Sequence, residues 1–143
     1  MKTVADIFKR KGLVNITIDP DKQVLHALKL MAEKNIGSVV VMKNQKFIGL
    51  LTERDYARKV VLHGKSSSDL TVGEIMSEYL PKVAPASSLE ECMEIMTNHN
   101  IRYIPVFNGD EYFGIISIND VVKETIIDQK DTIENLKNYI HSV

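Results

Sequence analysis

A chain of 143 residues, 44% hydrophobic and 26% charged, has the make-up of an ordered globular protein, with room for one domain or two small interdependent units. Its longest apolar runs, such as Val39 to Met42, fall far short of the roughly 20 residues a membrane span needs; the single Cys92 excludes an intrachain disulfide, and histidines at 26, 63, 99 and 141 lack metal-ligand spacing. The net charge of −1 conceals a polarity, since residues 1–65 carry 13 Lys and Arg against 6 Asp and Glu, and residues 66–143 carry 5 against 13. Without clustered aromatics this predicts self-association through complementary halves rather than nucleic-acid binding. Asp6 and Lys9 interrupt the apolar start of the chain, so no secretory signal is read there and a cytoplasmic location is expected.

In chain order, the opening stretch Thr3-Val4-Ala5-Asp6-Ile7-Phe8 reads as a helix start, and it recurs as Thr71-Val72-Gly73-Glu74-Ile75-Met76 at an offset of 68. From Pro20 onward the chain matches itself at an offset of 65, pairing Pro20 with Pro85, Ala27 with Cys92, Met31 with Met96, Gly49 with Gly114 and Asp55 with Asp120. The first copy therefore holds three extra residues before Pro20, placed at Lys11-Gly12-Leu13. Val24 to Asn35 sets Val24, Leu28, Met31 and Ala32 at helical spacing. Ser38 to Met42 and Phe47 to Leu51 are apolar runs around the turn Lys43-Asn44-Gln45-Lys46, which predicts a hairpin, and a helix follows from near Glu53. His63 to Leu70 reads as the linker. The second copy repeats the pattern as Leu89 to Asn98, Tyr103 to Phe107, the turn Asn108-Gly109-Asp110, Tyr112 to Ile116 and a helix from Ile118 that Ile133, Leu136, Tyr139 and Ile140 extend. The expected fold is α/β (α+β): two βαββα repeats, 1–65 and 66–143, packed sheet to sheet about a pseudo-twofold axis, with two equivalent clefts between them.

The segment most informative for function is Gly49-Leu50-Leu51-Thr52-Glu53-Arg54-Asp55, echoed by Gly114-Ile115-Ile116-Ser117-Ile118-Asn119-Asp120. Each places a hydroxyl and a carboxylate at a helix start, where free backbone N–H groups gather and a carboxylate can accept the vicinal hydroxyls of a ribose. The same [ST]-x-x-D spacing is also a capping box, explained by helix stability alone. Cys92, which stands where the first copy has Ala27, reads as a small core residue, as does the Met31, Met93, Met96 stripe. There is no Walker loop, no G-x-G-x-x-G after a strand and no G-x-S-x-G elbow.

The duplicated pattern, opened by Pro20 or Pro85 and closed by Gly-h-h-[Thr/Ser]-x-x-Asp, resembles the CBS domain family in tandem, the arrangement called a Bateman module. The resemblance implies a non-catalytic regulatory module whose clefts bind AMP, ADP, ATP, NAD(H) or S-adenosylmethionine, with no metal required, and which forms a homodimer and signals to an effector protein. It maps the ribose carboxylates onto Asp55 and Asp120 and their hydroxyls onto Thr52 and Ser117. It maps the purine walls onto Thr17, Ile18, Lys82, Val83, Gly37, Ser38, Val39, Tyr103, Ile104 and Pro105. Arg102 would face phosphate in one cleft, where the first copy has Gly37; Arg54 and Arg58 flank the first aspartate, and Asn119 replaces Arg54 in the second copy, so the two sites are expected to be unequal. In the dimer, the opposite charges of the halves favour copy one against copy two of the neighbour. Two rivals stand beside this reading: a structural or interaction module with empty clefts, and a small nucleotide-processing enzyme using an aspartate as base.

Overall fold

The computed structural model describes residues 1–13 and 15–141. In order these form α1 (Val4–Lys11), β1 (Thr17–Ile18), α2 (Val24–Lys34), β2 (Ser38–Lys43), β3 (Lys46–Thr52), α3 (Glu53–Tyr56) running into a π-helical turn (Ala57–Val61), α4 (Val72–Ile75), α5 (Leu89–His99), β4 (Tyr103–Asn108), β5 (Glu111–Ser117) and α6 (Ile118–His141). The α+β architecture is the expected one. Local chemistry repeats with the sequence: α2 and α5 end on Asn35 and Asn100, both left-handed, a conformation asparagine tolerates better than most residues. The hairpins share a register shift at Val41/Met42 and Val106/Phe107.

Packing divides the chain differently from the sequence repeat. Met1–Val14 with Pro81–Val143 form one compact unit, and Asn15–Leu80 form the other. The reason lies in the helix starts, whose first N–H groups have no partner within the helix. Val4 N–H donates to Ser87 O and Ala5 N–H to Pro85 O, both at 2.9 Å; at the equivalent positions Val72 N–H donates to Lys22 O and Gly73 N–H to Pro20 O, at 2.8 and 2.9 Å. Each copy's opening helix is thus satisfied by the other copy's turn. The segment expected to be a linker is bonded as well, for Leu70 O accepts from Val24 N–H and Ser67 O from Leu25 N–H.

The second unit holds a three-stranded sheet, β1-β2-β3, with β1 parallel to β2. In the first unit β4 and β5 pair, but at Lys82-Val83, which the offset of 65 matches to β1, the opening strand of the βαββα pattern shrinks to one bridge, Val83 to Val106. Proline explains the loss. Val40 N–H donates to Ile16 O at 3.2 Å, and the residue equivalent to Val40 is Pro105, which has no N–H to give.

Each core joins a helix to a hairpin: Val24, Ala27 and Met31 meet Val39, Val41 and Leu51 in the second unit, and Leu89, Cys92 and Met96 meet Ile104, Val106 and Ile116 in the first. The helix faces are rotated slightly from the expected ones. Ala32 is exposed, and Met93, read as core, is 40% exposed. Cys92 is fully buried, and burial pushes its thiol up to about 11, which removes it as a nucleophile at neutral pH.

The two strand glycines exist for close approach. A Cβ on Gly49 would lie 2.9 Å from Ser77 O and from Met76 Sδ; a Cβ on Gly114 would lie 2.8 Å from the Phe8 ring. A carbonyl fixed in the backbone cannot yield as a ring can. Gly49→Ala is therefore expected to cost about 1–3 kcal/mol and Gly114→Ala less, as read by urea unfolding of each variant. In the first unit, Glu124 of α6 is 2% exposed and takes Arg10 Nε at 2.9 Å and Arg10 Nη2 at 3.3 Å, with Lys2 Nζ at 3.6 Å. Arg10→Ala leaves this buried carboxylate with Lys2 alone and should lower stability by about 2 kcal/mol; the same scan of unfolding midpoints against urea checks it.

Candidate functional site

Both motif aspartates sit where a strand ends and a helix begins, β3 into α3 and β5 into α6. The extended residue before each helix forms a capping box with the aspartate. Thr52 N–H donates to Asp55 Oδ2 at 3.0 Å while Asp55 N–H donates to Thr52 Oγ1 at 3.1 Å; Ser117 N–H donates to Asp120 Oδ2 at 2.8 Å while Asp120 N–H donates to Ser117 Oγ at 3.1 Å. In both places one carboxylate oxygen, Oδ2, is taken by the cap. The two sites part at Oδ1.

Asp55 Oδ1 accepts from Ser77 Oγ at 2.9 Å and faces Lys59 Nζ at 3.1 Å, and Asp55 is only 7% exposed. Lys59 Nζ is itself held by Ile75 O at 2.9 Å. This carboxylate is closed on both oxygens. At Asp120 the added cation, Lys11 Nζ, reaches Oδ2 at 2.9 Å and also bonds Ile115 O at 2.9 Å. Among the described residues Asp120 Oδ1 accepts no hydrogen bond, and the side chain is 24% exposed. Arg102 is exposed beside this junction, its carbonyl accepting Ile118 N–H at 2.8 Å, as the Gly37 carbonyl accepts Glu53 N–H at 3.1 Å in the other unit.

Sequence reasoning missed Lys11, Ser77 and Lys59. The change of offset from 68 to 65 was the available signal, because it shows that the two opening helices end differently. The residues expected to wall a purine are scattered in exposure. The side chains of Val39, Val83 and Ile104 belong to the cores, with Ser38 and Pro105 also buried; Ile18, Gly37 and Tyr103 are half-buried, and Thr17, Arg54 and Arg58 are exposed. Lys82 lies over the Phe107 ring at 4.3 Å from its centroid. Among the described residues no three His, Cys, Asp or Glu side chains gather as a metal site, and no helix is long and apolar enough to cross a membrane.

Because Asp55 is buried and engaged on both oxygens while Asp120 is partly open, Asp55→Asn should cost about 2–3 kcal/mol and Asp120→Asn about 1. Paired unfolding curves check the ranking.

Comparison with known proteins gives a consistent result. The family description "CBS domain" matches residues 4–62 and again 72–126. The chain is 35% identical over 147 residues to the CBS domain-containing protein CBSX3, mitochondrial, of Arabidopsis thaliana, covering 96% of this chain and 71% of that one. The solved structure of a protein with CBS domains from Burkholderia ambifaria is 45% identical, with a TM-score of 0.85 over 90% of this chain and 96% of that chain. The CBS domain pair of protein MJ0100, solved in complex with 5'-methylthioadenosine and S-adenosyl-L-methionine, shares the fold at a TM-score of 0.75 and 22% identity, over 87% of this chain and 96% of that chain.

Proposed function

The chain belongs to the CBS domain family as a tandem pair, and from that premise we propose that it is a regulatory module that binds an adenosine-containing nucleotide through the carboxylate of Asp120. The observation that carries this reading is the open Oδ1 of Asp120, beside an Oδ2 fixed by the cap. A vicinal diol donates two O–H groups and needs an acceptor whose direction is already set, which a carboxylate locked at one oxygen supplies. Lys11 and the exposed Arg102 are cations at the same junction, suited to the phosphates of AMP, ADP, ATP or NAD(H). The adenosine-derived ligands of the MJ0100 pair support the ligand class. Asp55, closed by Ser77 and Lys59, fits the structural role instead, so the two copies divide ligand binding and stability between them. The reading is a non-catalytic one in which the ligand biases the chain between states that an effector protein distinguishes.

Thermal unfolding with AMP, ADP, ATP, NADH and S-adenosylmethionine tests it. One ligand at 100 times its Kd should add roughly 2.7 kcal/mol. Asp120→Ala should abolish that gain, whereas Asp55→Ala should keep it on a lower baseline. Loss of the gain in Asp55→Ala alone, or no shift with any ligand, overturns the assignment.

A further inference from the structure

We infer that the C-terminal half of α6 pairs with the same helix of a second copy of this chain as a parallel two-stranded coiled coil. The helix lies on its own unit through one face only, where Val121 is 0% and Glu124 2% exposed. Beyond residue 128 every described position is exposed. An exposed helical stretch of this length is marginal in water without a partner for an apolar face.

The apolar face has a heptad period. Ile126, Ile133 and Ile140 fall seven apart, at a, with Val122, Gln129 and Leu136 at d; the five apolar side chains, Ile126, Ile133, Ile140, Val122 and Leu136, are 46%, 53%, 68%, 40% and 57% exposed. Ile at a with Leu at d, as in Ile133 and Leu136, is the combination that favours two parallel strands, and Gln129 is the one polar residue in the d layer. Charge selects the same occupant and the same direction. The three lysines of α6, Lys123, Lys130 and Lys137, all fall at e, while the g positions 125, 132 and 139 hold Thr, Thr and Tyr. In a parallel pair e faces g of the partner, so each lysine meets a neutral side chain. In an antiparallel pair e faces e, lysine against lysine. All five Asp and Glu of the helix fall at b, c or f, off the seam, and they outnumber its lysines, which removes the basic face that an anionic membrane surface would need. The pairing brings like copies together, opposite to the orientation that the net charges of the two halves predict, because the charges next to the seam are arranged so as not to oppose it.

Disulfide trapping of the full chain tests this without any nucleotide, so its outcome is separate from that of the ligand reading. In a Cys92→Ala background, which reproduces the Ala27 of the first copy, Leu136→Cys should oxidise to a covalent dimer at least tenfold faster than Glu134→Cys on the outer face. Adding Ile133→Asp should erase that advantage. Equal rates for Leu136→Cys and Glu134→Cys overturn the seam. Preferential cross-linking of an Ile133→Cys chain to a Leu136→Cys chain overturns the parallel order.

Discussion

The hydrogen bonds from the starts of α1 and α4 to the turns ahead of α5 and α2 are the constraint on which both compact units depend. They do more than satisfy four otherwise unpaired N–H groups. They bring Val4, Ile7 and Phe8 of the first copy into the core formed by the second, and Val72 and Ile75 of the second copy into the core formed by the first. Units of this size bury a smaller fraction of their surface than larger domains do and are correspondingly marginal, so the borrowed side chains are a substantial part of each core. The glycines follow from the same docking. Gly49 and Gly114 are where the borrowed segment lies too close for a side chain.

From this shared plan the two aspartates diverge through one local difference, the point at which the opening helix stops. α4 ends at Ile75 and the chain turns extended, so Ser77 pairs with Leu50 through its backbone and delivers its hydroxyl to Asp55. α1 continues to Lys11, with basic residues filling its last turn. At that end the Lys11 ammonium bonds Ile115 O and Asp120 together. A serine held by a strand bridge is a fixed partner. A lysine on an exposed helix end is a movable one.

Much of this was legible in the sequence. The repeat register located both hairpins and both capping boxes, because each depends on residues close together in the chain. The different partners of the two aspartates were not legible, for the sequence marks a difference between the copies only at Arg102 and Asn119. Lys11 lies 109 positions from Asp120 and Ser77 lies 22 from Asp55, and no periodicity connects such pairs. The missing strand at Lys82-Val83 was in principle readable. It required knowing that Pro105 occupies a donor position, which depends on the parallel register and not on the strand's own residues.

Lys11 and Arg10 are consecutive, and this places two functions on one helix end. Arg10 clamps Glu124 inside α6, while Lys11 reaches the carboxylate at the start of the same helix. A ligand that draws the Lys11 ammonium to its phosphate removes a hydrogen bond from Ile115 O and leaves α1 tied to α6 through Glu124. The energy available for such a shift is only the difference in the ligand's affinity for the two arrangements. Because Lys11 is a surface pair with Asp120, that bond is weak, and little of the binding energy is needed to break it. The buried Glu124 sets the opposite limit, since uncovering it would cost more than one hydrogen bond returns. A conformational response that begins at Asp120 is therefore expected to pivot about the Arg10–Glu124 clamp rather than to release it.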